Sequence, residues 1–188
     1  RCEEALKELD DASRHGASAY YYFLLKADCH LSLGNFEKAQ AAYLRSNLLL
    51  PNSRAIKALA ELALLRDDHV SAKSHFIVLM SSPGYLKKNA KDSFVRLDAF
   101  DNPGFYFPVF SKVRVHDKKF YAVLSNQAGF SIKGADLAIK ITVNGQEFKK
   151  SVQTGPILKD SKAIIYPGWE FSETDKFANL DVKVLKIW

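Results

Sequence analysis

"LSLGNFEKAQAAYLRSNLLLPNS", residues Leu31 to Ser53, sets a glycine, an aromatic, an alanine, a second aromatic and a proline in a fixed order: Gly34, Phe36, Ala39, Tyr43 and Pro51. Each has a use in a helical hairpin. Gly34 suits the positive φ that ends one helix, and Pro51 blocks continuation of the next. Ala39 lets two helices approach closely while Phe36 and Tyr43 fill the space around it. The stretch recurs. Thirty-four residues back, Ala39, Tyr43 and Ser46 map onto Ala5, Leu9 and Ala12, and thirty-three residues forward Ala27, Ala39 and Tyr43 map onto Ala60, Ala72 and Phe76. A small residue, a large one and a register held over three passes describe stacked helix pairs.

This pattern resembles the tetratricopeptide repeat, whose units of about 34 residues form two antiparallel helices. The central unit carries the resemblance through Phe23 at the usual Trp site, Ala27, Leu33-Gly34 at the turn, Phe36, Ala39, Tyr43, Ser46 and Pro51. It departs at Lys26, where a Leu is usual, and at His30, where a Tyr is usual and a satisfied packing histidine is expected. The following unit departs at Asp67 for Gly and His69 for the aromatic. The resemblance implies an α-solenoid over residues 1–100, with a partial repeat at 1–17, repeats at 18–52 and 53–84, and a capping helix at 85–100. The cap follows Pro83-Gly84 and carries a stripe of Tyr85, Leu86, Ala90, Phe94, Val95 and Leu97, which suits the open end of a stacked array.

At "DNPG", Asp101 to Gly104, the hydrophobic period changes from near 3.6 to 2, and these turn-forming residues are expected to link two domains. Downstream lie "FYFPVFSKVRV", "KKFYAVLSNQ", "DLAIKITVNGQEFKKSV", "KAIIYPGWEF" and "ANLDVKVLKIW", each rich in β-branched or aromatic residues. Leu137, Ile139, Ile141 and Val143 alternate cleanly, and Asn144-Gly145 then supplies a two-residue hairpin turn before Phe148 and Val152. Six or seven short strands in residues 105–188 resemble, in architecture, the antiparallel β-sandwich of immunoglobulin and fibronectin type III domains. The dense aromatics Phe105, Tyr106, Phe107 and Phe110 are expected to pack against the last helix and within that sandwich.

The chain has 188 residues and a formal charge of +6, from 14 basic against 12 acidic residues up to Phe100 and 13 against 9 beyond it. Such a thin excess, seen mainly as pairs such as Lys87-Lys88, Lys118-Lys119 and Lys149-Lys150, predicts no nucleic-acid face. No apolar run reaches the roughly 18 residues of a membrane span, so no membrane insertion is expected. "RCEEALKELDD" begins in mid-pattern without a signal peptide, as a fragment of a longer protein does, and localisation in a bacterial envelope or in the cytoplasm stays open. Cys2 and Cys29 lie 27 apart with no CxxC, which leaves two free thiols or one disulfide but no zinc cage. There is no P-loop, nucleophile elbow or dinucleotide fingerprint, and the histidines at 15, 30, 69, 75 and 116 form no i,i+4 pair. No catalytic residue, metal or cofactor is expected.

The resemblance also implies where a partner sits. The inner face of a tetratricopeptide array would take Tyr21, Leu24, Asp28, Leu31 and Ser32 from the central unit and Arg54, Lys57, Glu61 and Leu64 from the next. Leu24 and Asp28 stand where a carboxylate clamp carries Lys and Asn, so Tyr21, Leu24 and Leu31 suit an apolar helix or extended peptide, with Arg54 and Lys57 orienting an acidic group. The competing reading is that this face packs on an upstream repeat or on the chain's own β-domain. The function expected is a non-enzymatic protein-binding adaptor in a larger assembly, by analogy a bacterial envelope, pilus or secretion machine. The alternative is a glycan-binding module using Trp169 and Tyr166.

Overall fold

The computed structural model describes residues 1–14, 19–114, 119–172 and 174–188, so His15 and His116 lie outside the described residues. The described chain is helical first and β second. Six helices come in succession, α1 (Cys2–Arg14), α2 (Tyr20–Ser32), α3 (Phe36–Leu49), α4 (Ser53–Leu65), α5 (His69–Ser81) and α6 (Leu86–Asp101), followed by the single turn α7 (Pro103–Tyr106). Six strands follow: β1 (Val109–Arg114), β2 (Lys119–Ser125), β3 (Ala135–Val143), β4 (Gln146–Gln153), β5 (Lys162–Ile165) and β6 (Phe177–Ile187). Two compact units divide between Phe94 and Val95.

In the helical unit, α1 packs on α2, α2 on α3, α3 on α4 and α4 on α5. Local chemistry ends and starts these helices. Gly34, at φ +73°, follows α2, and the Asn52 side chain caps α4 by accepting from the Ala55 amide at 2.8 Å. Asp67 takes the left-handed conformation after α4 at φ +59° without the help of glycine, and Asp68 then caps α5. Ala27, Ala39 and Ala55 are wholly buried where α2, α3 and α4 meet, and Tyr43, Leu59 and Leu62 fill the contact around them. Each such large side chain contributes about 1.5–3 kcal/mol by leaving water. Phe36, expected in that contact, is instead 40% exposed as the first residue of α3.

In the β unit, strands run antiparallel in two sheets, ordered β1-β2-β5 and β4-β3-β6. Asn144 and Gly145, at φ +52° and +80°, turn β3 directly into β4, as a type I′ hairpin requires. One buried cluster draws on Phe120, Ala122, Leu124 and Ile165 from the first sheet and on Leu137, Ile139, Ile141 and Ile187 from the second. Ala99, near the end of α6, and Phe107 belong to the same cluster, and Tyr106 donates its hydroxyl hydrogen bond to Asp98 at 2.9 Å. The β unit therefore begins inside α6, ahead of the turn at 101–104. Burial and the Asp98 carboxylate push the Tyr106 hydroxyl up to about 12.

Candidate functional site

The residues named on α2 and α4 do different jobs. Tyr21 is exposed, but Leu24 is only 4% exposed and belongs to the cluster formed by α2, α3 and α4, so it is core and not surface. Leu31 packs against that cluster, and Ser32 donates to the Asp28 carbonyl at 2.9 Å. The Asp28 carboxylate is a junction of three helices. It accepts the Tyr43 hydroxyl of α3 at 2.6 Å on one oxygen and the Arg54 guanidinium of α4 on the other. Burial, and then this carboxylate, push the Tyr43 hydroxyl well above the ordinary tyrosine range. Lys57 donates to Glu61 one turn on at 2.6 Å. Arg54 and Lys57 thus each hold a carboxylate already. The Lys57–Glu61 pair is solvent-exposed and contributes only about 0–1 kcal/mol, so an incoming acidic group displaces it at small cost, whereas Arg54 is exposed but its Asp28 partner is part-buried.

Three helices enclose a cleft of about 280 Å³. Lys57, Glu61 and Leu64 come from α4 at i, i+4 and i+7, and Phe76 and Leu79 come from α5. The first half of α6 supplies Leu86, Asn89, Ala90 and Ser93, again one helical stripe. Phe76, Leu79 and Ala90 are buried and apolar, while Lys57, Glu61 and Asn89 reach solvent. An apolar floor beneath a charged rim receives an apolar side chain while a polar backbone or carboxylate stays at the edge. The repeat pattern points to Lys57, Glu61 and Leu64 but makes α6 only a cap, so it misses Asn89 and Ser93. Their signal is the spacing of Leu86, Asn89, Ala90 and Ser93 along one stripe of α6.

Between α1 and α2, Lys26 pairs with Asp10, which explains a cation where the repeat usually has Leu; that partner raises the Lys26 pKa against the opposing effect of burial. His30 is buried as expected for a core position, but its Nδ1 has no hydrogen-bond partner among the described residues, so it is packed without being satisfied. Burial, with Lys26 and Lys38 nearby, lowers its pKa. Cys2 and Cys29 stand as free thiols, and burial and then the neighbouring Cys2 thiol push the Cys29 thiol up.

In the β unit, the Trp169 ring is half-buried among Phe120, Phe148 and Phe171, with ring centroids 5.9 to 6.5 Å apart, whereas Tyr166 is exposed. Among the described residues, no three His, Cys, Asp or Glu side chains gather as metal ligands would, and no helix is long and apolar enough to cross a membrane. No protein-family model, curated protein or solved structure matches the chain.

Proposed function

We propose that this chain is a non-enzymatic adaptor in which a tetratricopeptide-like array of antiparallel helix pairs, followed by a β-sandwich, docks a segment of another protein. The cleft between α4, α5 and α6 carries this reading. At about 280 Å³ it falls just under the roughly 300–1,000 Å³ of small-molecule sites, and its buried Phe76, Leu79 and Ala90 suit one anchoring apolar side chain. Lys57 and Glu61 at the rim offer one charge of each sign to the flanking peptide, and Arg54 adds a cation further along α4. The anchor-and-rim arrangement is that of helix-in-groove and extended-peptide recognition. A glycan platform on Trp169 and Tyr166 has less support, because the Trp169 ring is engaged with three phenylalanines.

Affinity capture with the full chain tests this. Leu64 lies at the cleft mouth, and Leu64→Arg places a bulky charge there while leaving the helix contacts intact. Proteins that co-purify reproducibly with the wild type should be lost with Leu64→Arg at an unchanged melting temperature. Retention of the same set by the folded variant would remove the cleft from the account.

A further inference from the structure

The first two helices carry both cysteines of the chain, and one ion pair sets the register between them. α1 and α2 pack together and are joined by residues 15–19 alone, a connection short enough to set them antiparallel. Lys26 of α2 points back along its helix, with Nζ 5.9 Å from the centre of the Tyr22 ring, and there it meets the Asp10 carboxylate of α1. Asp10 therefore stands level with Tyr22. From that level Cys2 lies eight residues back along α1, and Cys29 lies seven residues on along α2. At about 1.5 Å per residue these steps are about 12 and 10.5 Å, so the two cysteines come level again. Both also sit on the facing sides of their helices. Cys29 follows Tyr22 and Lys26 at i, i+4 and i+7, and Cys2 belongs with Ala5, Leu6 and Leu9 to the half-buried stripe of α1. Facing Cα atoms of helices packed about 8–10 Å apart are about 3.5–5.5 Å from each other, which overlaps the about 4.4–6.8 Å that a disulfide spans. The Cys2 thiol is accordingly the neighbour that, after burial, raises the Cys29 pKa.

We propose that Cys2 and Cys29 are a reversible disulfide site that fastens α1 to α2, with a small-molecule disulfide such as glutathione disulfide as the oxidant. Both are free thiols in this structure and both are half-buried, so such an oxidant can reach them. The thiolate of one cysteine attacks a sulfur of the oxidant, forming a mixed disulfide and releasing one glutathione thiolate. The thiolate of the other cysteine then attacks the cysteine sulfur of that mixed disulfide, forming the Cys2–Cys29 bond and releasing the second glutathione. Two protons and two electrons leave the protein thiols, and the oxidant departs as two reduced thiols. Excess reduced glutathione reverses both steps. α1 is where such a bond has an effect. From residue 2 to residue 12 no side chain is fully buried, so the helix is held by its half-buried stripe and by the Asp10–Lys26 pair. An element with so few buried contacts opens locally at low cost, and the disulfide opposes that opening. The site stands apart from the cleft, which takes its residues from α4, α5 and α6.

Glutathione disulfide applied to the full chain, followed by intact-mass measurement and thiol counting, tests the site. The wild type should lose both free thiols and only two hydrogen atoms in mass while staying monomeric, and dithiothreitol should restore both thiols. Cys2→Ser and Cys29→Ser should each stop at the mixed disulfide and retain one glutathione. In hydrogen exchange the α1 amides should exchange about tenfold more slowly in the oxidised chain than in the reduced one. Glutathione retained on both wild-type cysteines, disulfide-linked dimers, or thiols that resist oxidation would overturn the proposal. So would a disulfide that forms and leaves exchange in α1 unchanged.

Discussion

Asp28 shows how one side chain can be drawn from a predicted binding role into structure. A carboxylate on the inner face of α2 looks available to a ligand, but here it accepts from Tyr43 and Arg54 and so ties α2 to α3 and α4. The two bonds differ in worth. Tyr43 is buried and its bond is to a charged acceptor, so Tyr43→Phe should cost about 1.5–3 kcal/mol in urea unfolding, while the exposed Arg54→Ala should cost less than about 1 kcal/mol. The pH dependence follows from the raised Tyr43 pKa. In the unfolded chain this hydroxyl ionises near 10, but in the fold it stays protonated to higher pH, so its stabilisation is complete below pH 10 and is lost as pH rises above it. Thermal melts between pH 9 and 11 should therefore show a shallower alkaline decline for Tyr43→Phe than for the wild type.

At the scale of elements, the connections decide how well the helix pairs form. Asp67 holds a left-handed conformation that costs a residue with a side chain roughly 1–2 kcal/mol, and glycine relieves that strain while adding about 0.4–1 kcal/mol of unfolded-state entropy. Relief of strain outweighs the added entropy, so Asp67→Gly should raise the urea midpoint, by about 0.5–1 kcal/mol in stability, with unchanged slope. The Asn144-Gly145 hairpin was legible in the sequence because backbone conformation and residue type are tightly coupled there, whereas Asp67 read as a departure from glycine and yet holds the left-handed conformation. The helical-then-β order was legible for a similar reason, since hydrophobic period reads out locally. Leu24 was not, because a stripe on α2 shows that one face is apolar without showing which neighbour covers it. The start of the β unit inside α6 was hidden too: Ala99 continues the helical pattern yet is buried with strands far along the chain. Trp169 looked available for stacking, and only the fold, which brings Phe120, Phe148 and Phe171 around it, leaves the ring half-buried.

For the whole molecule, the net charge of +6 is spread over both units, and a cleft in the helical unit sets apolar surface inside a charged frame. That cleft lies between α4, α5 and α6. An adaptor needs surfaces of this kind, each specific through a few anchors and tunable through its rim. The central claim is that the cleft receives a partner's side chain, and photo-crosslinking in cells addresses it most directly. A benzophenone amino acid is placed at Leu64 or Asn89, both lining the cleft, and at Val70 on α5, which is highly exposed and outside it. The account predicts a discrete protein adduct from Leu64 and Asn89 and none from Val70. An adduct from Val70, with none from Leu64 or Asn89, would contradict it.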